Sequence, residues 1–251
     1  MDPQVVSQSD WLAARKQLLK KEKEFSRLRD ELSAERRRMP WVKVEKDYVF
    51  EGPGGRESLA ELFAGRSQLI TYHFMLGPGW GEGCPSCSFL GDHFDGSLIH
   101  LANRDVTLLA VSRAPLAEIE AYKKRMGWRF KWVSSFGSSF NYDFGISFSK
   151  EQLSSGDFTY NYQAGSAFPS EELPGLSVFS KRAGEVFHTY STYARGLDIL
   201  LGAYNFMDLT PKGRDEAEMK PHAMAWVRRH DKYDQAYAVD PKVQISPAKA
   251  S

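Results

Sequence analysis

The chain has 251 residues, 42% hydrophobic and 26% charged, with a formal charge of +1 at pH 7. That balance suits a globular domain with a substantial core, exerts no general pull toward nucleic acid or membrane, and contains no apolar run near the roughly 20 residues of a membrane span. The stretch Met1 to Asp10 is polar and carries no apolar signal core, so a cytoplasmic protein is expected.

From about Asp10 to Arg38 the pattern predicts one long helix, with Asp10 as N-cap and Pro40 as its stop. Trp11, Leu18, Phe25 and Leu32 recur every seven residues, with Leu12, Leu19 and Leu28 beside them. The opposite face is densely charged. Such an amphipathic segment, residues 10–40, docks on the main domain or pairs with a second copy of the chain as a homodimer. From Trp41 the period shortens. Val42, Val44, Tyr48 and Phe50 predict short strands broken at Gly52-Pro53-Gly54-Gly55. Ser58 to Phe63 reads as a short helix, Ser58 and Glu61 being spaced as a capping box. Leu69 to Leu76 is nearly all apolar, as in a central strand covered on both faces.

The loop Gly77 to Gly83 then leads to Cys84-Pro85-Ser86-Cys87 and a helix predicted over Ser88 to about His100. A second strand spans Val106 to Ser112. A helix opens at Ala114-Pro115 and ends at Met126 before Gly127, and a third strand runs from Arg129 to Ser134. This alternation argues for parallel strands with crossover helices. Residues 135–173 form an insertion rich in aromatics, from Phe136 to Phe168, among Gly, Ser and Asn. Phe140-Tyr142-Phe144 and Phe158-Tyr160-Tyr162 alternate as irregular strands or a hairpin would. The insertion either covers one end of the sheet or walls a substrate site beside the thiols. Leu176 to Phe179 and Glu185 to Tyr190 read as an antiparallel hairpin, followed by a helix from about Leu197 to Tyr204 and a short strand at Met224 to Val227. The main domain spans 41–240, and 241–251 reads as a frayed, disordered tail.

The sequence contains two cysteines, Cys84 and Cys87. In a reducing compartment such a pair serves catalysis, redox sensing or metal binding rather than stapling. A thiol attacks a disulfide only as its thiolate. With a helix starting at Cys84, its sulfur faces the unpaired N–H groups of the helix end, and Pro85 fills the first helical position. Cys84 is then the attacking thiol, and Cys87, one turn deeper, resolves the mixed disulfide. Trp80 shields the pair or offers a flat contact surface, and Glu82 opposes the thiolate or handles protons. Structural zinc needs four ligands. The cysteines supply two, and His93 and His100 fall at no finger spacing. No metal and no cofactor is therefore expected, and the partner is a thiol or disulfide substrate. His188, Tyr190, Tyr193 and Arg195 group near the end of the hairpin as edge-strand side chains, or as a place where His188 or Arg195 binds an acidic substrate group.

The path from Tyr48 to Thr189 resembles the thioredoxin fold in the variant shared with peroxiredoxin-like proteins. This implies an α/β three-layer sandwich with a mixed central sheet, an N-terminal helix and the aromatic insertion. Three segments resemble a bacterial thioredoxin-like family, domain-of-unknown-function family 899: Tyr72-His73-Phe74-Met75 with Gly83 to Phe89, Asn141 to Phe144, and Val186 to Gly196. The resemblance implies a dithiol–disulfide oxidoreductase. It also implies a cis-proline before the hairpin strand, beside the thiols, for which Pro174 is the candidate. Peroxiredoxins place Thr or Ser three residues, and Pro seven residues, before their reactive cysteine. Here those positions hold Gly81 and Gly77 before Cys84, and Cys84 and Trp80 before Cys87, which disfavours a thiol peroxidase. A thioredoxin-fold binding module with incidental thiols is the other alternative.

Overall fold

The computed structural model describes residues 4–165 and 169–233, and the chain divides into two compact units, residues 1–41 and 42–251. Phe168 and the tail 241–251 lie outside the described residues. Within them, no helix is long and apolar enough to cross a membrane.

The first unit is helix α1 (Gln8–Arg38). Its N-cap is Ser7, not Asp10: the Ser7 hydroxyl accepts the Asp10 amide at 3.2 Å, which places Asp10 inside the first turn. There its carboxylate favours the positive end of the helix, as Arg36, Arg37 and Arg38 favour the negative end. None of its residues is buried.

The second unit runs β1 (Val42–Lys43), β2 (Val49–Gly52), β3 (Gly55–Ser58), β4 (Gln68–His73), α2 (Pro85–Gly91), α3 (Leu98–Asn103), β5 (Val106–Ser112), α4 (Leu116–Met126) and β6 (Lys131–Ser134). It continues with α5 (Phe140–Asp143), α6 (Lys150–Ser155), β7 (Thr159–Tyr160), β8 (Gln163–Ala164), β9 (Gly175–Arg182), β10 (Glu185–Tyr193) and α7 (Gly202–Met207). Eight strands form one sheet in the order β1-β10-β9-β4-β5-β6-β2-β3. β4, β5 and β6 are parallel, while β9 lies antiparallel on the other side of β4. The chain thus has the mixed sheet of the peroxiredoxin-like thioredoxin variant, with β4 at its centre.

Alternation along β4 sets the layers. Tyr72 and Phe74 point into a core with Cys87, Trp132, Tyr122 of α4 and Tyr204 of α7. Leu69 faces the other side, packing with Leu62, Phe63, Leu109, Val133, Phe140 and Phe179. His73 shares that second face, its ring 5.6 Å from Phe140 and 6.0 Å from Phe144.

Several elements depart from the sequence expectation. The predicted helix over Ser88–His100 is two helices separated by turns, and Asp92 and Asp95 between them take tertiary partners. Asp92 accepts the Trp128 indole N–H at 2.8 Å, and Asp95 accepts the Phe130 amide at 2.9 Å. Ser58 and Glu61 make their reciprocal bonds, but only a single 3₁₀ turn, Glu61–Phe63, follows. Phe140 and Phe144 are four apart as well as alternating, and the helical spacing prevails. Both rings pack inward on Phe179, while Tyr142 between them is exposed. The second aromatic run does form a hairpin, β7–β8. The predicted helix over Leu197–Tyr204 splits into a 3₁₀ stretch, Ala194–Leu200, and α7. Met224–Val227 is a turn segment rather than a strand; Val227 is nevertheless 3% exposed, so its apolar residues serve packing and not pairing.

Candidate active site

The site lies where β4 exits the sheet. Beyond His73 the chain stays tethered: the Phe74 amide bonds the Val111 carbonyl, and the Ala114 amide bonds the Leu76 carbonyl. The loop then folds back so that the Cys84 amide reaches the Met75 carbonyl at 3.1 Å. Gly83 makes that return feasible. A Cβ there would lie 2.5 Å from the Phe74 ring and 2.7 Å from the Tyr122 ring, so only glycine lets the backbone approach so closely. Gly81, at φ +69°, supplies the left-handed bend two residues earlier.

Cys84 is the N-cap of α2, and Pro85 occupies its first position, as expected. Both thiols are free. Cys84 is partly exposed and Cys87 buried. Four influences lower the Cys84 thiol to about 6: a hydrogen bond from the Cys87 thiol, the backbone N–H groups of Cys87 and Ser86, and the Arg229 cation, against the opposing effect of burial. Burial pushes the Cys87 thiol up, and the neighbouring Cys84 sulfur adds to the rise. The Tyr72 hydroxyl and the Met75 amide bond its sulfur and work the other way. One dithiol thus holds an accessible, acidic thiol and a buried, weakly acidic one.

Around the pair, the charges are arranged differently from the sequence expectation. Glu82 is not a free acid or base: Arg125 and Arg229 both pair with it, and the Arg125 hydrogen bond is the main cause of its lowered pKa. Trp80 is 37% exposed and packs against Gly77, where an added Cβ would fall 2.7 Å from its indole nitrogen. The peptide bond before Pro174 is trans, since the one cis bond among the described residues is Lys220–Pro221. The Pro174 carbonyl instead accepts the Tyr160 hydroxyl at 2.7 Å, and Tyr160 is close enough to Cys87 to feel its charge. Among the described residues of the insertion, Tyr160 thus stands near Cys87. Much of the remaining aromatic surface walls a separate cavity of about 650 Å³ on the sheet's other side, lined by Tyr48, Phe144, Phe148, Phe158 and His188.

The hairpin residues take different partners, His188 meeting the Tyr190 carbonyl at 3.1 Å. His188 bonds Ser191, which bonds Ser177, which bonds the buried His73, at 2.7, 2.8 and 2.8 Å. Tyr193 donates to the Phe144 carbonyl, and Arg195 pairs with Asp198 at 2.8 Å. His93 uses both ring nitrogens on main-chain partners, Phe89 and Ala203. Tyr122 and Arg229 are site residues that local motif reading misses. Tyr72 stands in the segment Tyr72-His73-Phe74-Met75 that carries the family resemblance, on the same face as Phe74. Arg229 comes from 146 residues beyond Gly83 and carries no local signal.

Comparison with known proteins finds no match among curated proteins. Solved structures similar to the chain include the peroxidoxin BcpB of Mycobacterium tuberculosis, at 12% identity and TM-score 0.44, covering 65% of this chain and 93% of that one. A peroxiredoxin Q of Xanthomonas campestris matches at 16% identity and TM-score 0.41, covering 63% and 90%. The mitochondrial 2-Cys peroxiredoxin of Plasmodium falciparum matches at 14% identity and TM-score 0.41, covering 67% and 94%. A family model matches residues 1–233, and the chain accordingly belongs to the bacterial protein family of unknown function DUF899.

Proposed function

We propose that the protein is a thiol–disulfide oxidoreductase in which Cys84 attacks and Cys87 resolves. The observation that carries this reading is the split of the pair into an accessible thiol lowered to about 6 and a buried thiol raised above the usual range. The Cys84 thiolate attacks one sulfur of a substrate disulfide, and the other sulfur leaves as a thiolate. Cys87 then gives up its proton and attacks the Cys84 sulfur. The second substrate thiol departs, leaving a Cys84–Cys87 disulfide, so the dithiol has passed two electrons to the substrate. A thiol reductant in solution must restore it for the next round.

Reduction of insulin or of an aromatic disulfide, with dithiothreitol as reductant, is the direct test, with hydrogen peroxide offered in parallel. Wild type should accelerate disulfide reduction and Cys84→Ser should fall to background. Equal rates in the two proteins would point to a binding module. Consumption of peroxide without disulfide reduction would point to a peroxidase.

The proposal extends to assembly. α1 leaves Trp11, Leu18, Phe25 and Leu32 between 45% and 65% exposed at seven-residue spacing, the pattern of a seam that pairs with a second helix. Its partner is a second copy of the chain. Sedimentation equilibrium should give a dimer for wild type and a monomer for Phe25→Glu; a monomeric wild type would end this reading.

A further inference from the structure

The C-terminal segment after the buried Val227 is fastened to the redox corner by three consecutive residues. Arg229 Nε donates to the Gly83 carbonyl at 3.0 Å, immediately before Cys84, and its Nη1 lies 3.0 Å from Glu82. His230 Nδ1 meets Asp92, at the end of α2, at 2.7 Å. Asp231 receives both Nε and Nη2 of Arg125, at 2.7 and 3.2 Å. The Arg229 side chain is 19% exposed. A guanidinium held by both a carbonyl and a carboxylate has little freedom to leave.

We propose that Arg229 is a positioning residue of the dithiol, delivered from the far end of the chain to fix the Gly83–Cys84 backbone and keep a cation beside the attacking sulfur. This rests on the dithiol reading for its purpose, though not for its measurement. The groups that share the corner cannot substitute for it. Glu82 and Asp231 are negative, and Arg125 is engaged by both of them. Lys232 acts on Glu82 and Asp231. Tyr72, Tyr122 and Tyr160 are held in their neutral form by burial, and Cys87 contributes its hydrogen bond whether or not Arg229 is present.

The test is the pH profile of Cys84 alkylation by iodoacetamide, with the modified residue located by mass spectrometry. Arg229→Gln keeps a donor for the Gly83 carbonyl but removes the charge. It should move the midpoint up by about one pH unit, which at pH 6 slows alkylation about fivefold. Arg229→Lys should return the midpoint most of the way. Arg229→Met supplies the same loss of charge should the Gln variant fail to fold, as judged by near-ultraviolet circular dichroism. Profiles that superimpose for wild type and Arg229→Gln, or a Lys variant that behaves like Gln, overturn the proposal. A shifted midpoint in a protein without disulfide turnover sinks the oxidoreductase reading and leaves this one standing; turnover with an unshifted midpoint does the reverse.

Discussion

Cys87→Ser is expected to accumulate a mixed disulfide on Cys84 and to lose multiple turnover. In the resting dithiol, Cys87 donates to the Cys84 sulfur, and that bond is the largest cause of the Cys84 thiol's acidity. A serine hydroxyl can donate in the same place, so the variant keeps its attacking thiolate. What it lacks is the second nucleophile. The resolving step also has a built-in order. Burial and the adjacent Cys84 sulfur keep Cys87 protonated at rest. Once Cys84 is bound to substrate its charge is gone, one of the influences raising Cys87 disappears, and the Tyr72 and Met75 donors remain to stabilise the new thiolate. Resolution is thereby favoured only after attack. Incubation of Cys87→Ser with oxidised glutathione should add one glutathione to Cys84, read as a mass increase that dithiothreitol removes. Cys87→Ala, which cannot donate, should react more slowly at pH 6. An unmodified Cys84 in the serine variant, or equal rates for serine and alanine, would count against the assigned roles.

The parts of this fold legible in the sequence are those where local pattern and tertiary environment agree. The run feeding Cys84 is apolar on both sides because β4 is covered on both faces, and α4 is bounded by Pro115 at its N-cap and by Gly127 at φ +66°. The hairpin β9–β10 turns at Ala183-Gly184, both at positive φ, as a tight two-residue connection requires. Sequence reading fails where distant groups decide. Asp92 and Asp95, in the turns between α2 and α3, hold Trp128 and Phe130. Phe140 and Phe144 satisfy two periods, and packing on Phe179 selects the helical one. Pro174 stands where a cis-proline was expected, but its carbonyl serves Tyr160 through a trans bond. At the site the cysteines and Pro85 were readable from spacing alone. The cation beside them was not, because Arg229 reaches the corner only after the chain has folded.

The largest expected loss of stability away from the thiols is in Arg113→Met. Arg113 follows β5 and pairs at 2.5 Å with Glu172, whose side chain is 2% exposed. Ser147 donates to the other Glu172 oxygen at 2.6 Å, and Arg113 also bonds the Tyr142 hydroxyl. The pair thus bolts the insertion to the strand end whose next residue, Ala114, tethers Leu76. Removing the arginine leaves a buried carboxylate without its cation, a loss of about 3–5 kcal/mol. In a unit of this size that lowers Tm by roughly 2–4 °C for each kcal/mol. Burial already raises the Glu172 pKa, with Ser147 and Arg113 opposing it, so the variant's folded-state pKa climbs further above the ordinary 4.5 of the unfolded chain. A folded state that binds a proton the unfolded state releases is destabilised as pH rises through that window, and the penalty vanishes below it. Urea denaturation should therefore show a gap between wild type and Arg113→Met that is full at pH 7 and closes toward pH 4. Adding Glu172→Gln should recover much of the neutral-pH loss by removing the charge instead of its partner. A gap that stays constant with pH, or a double variant no more stable than Arg113→Met, would mean that the arginine acts through packing and not through the buried charge.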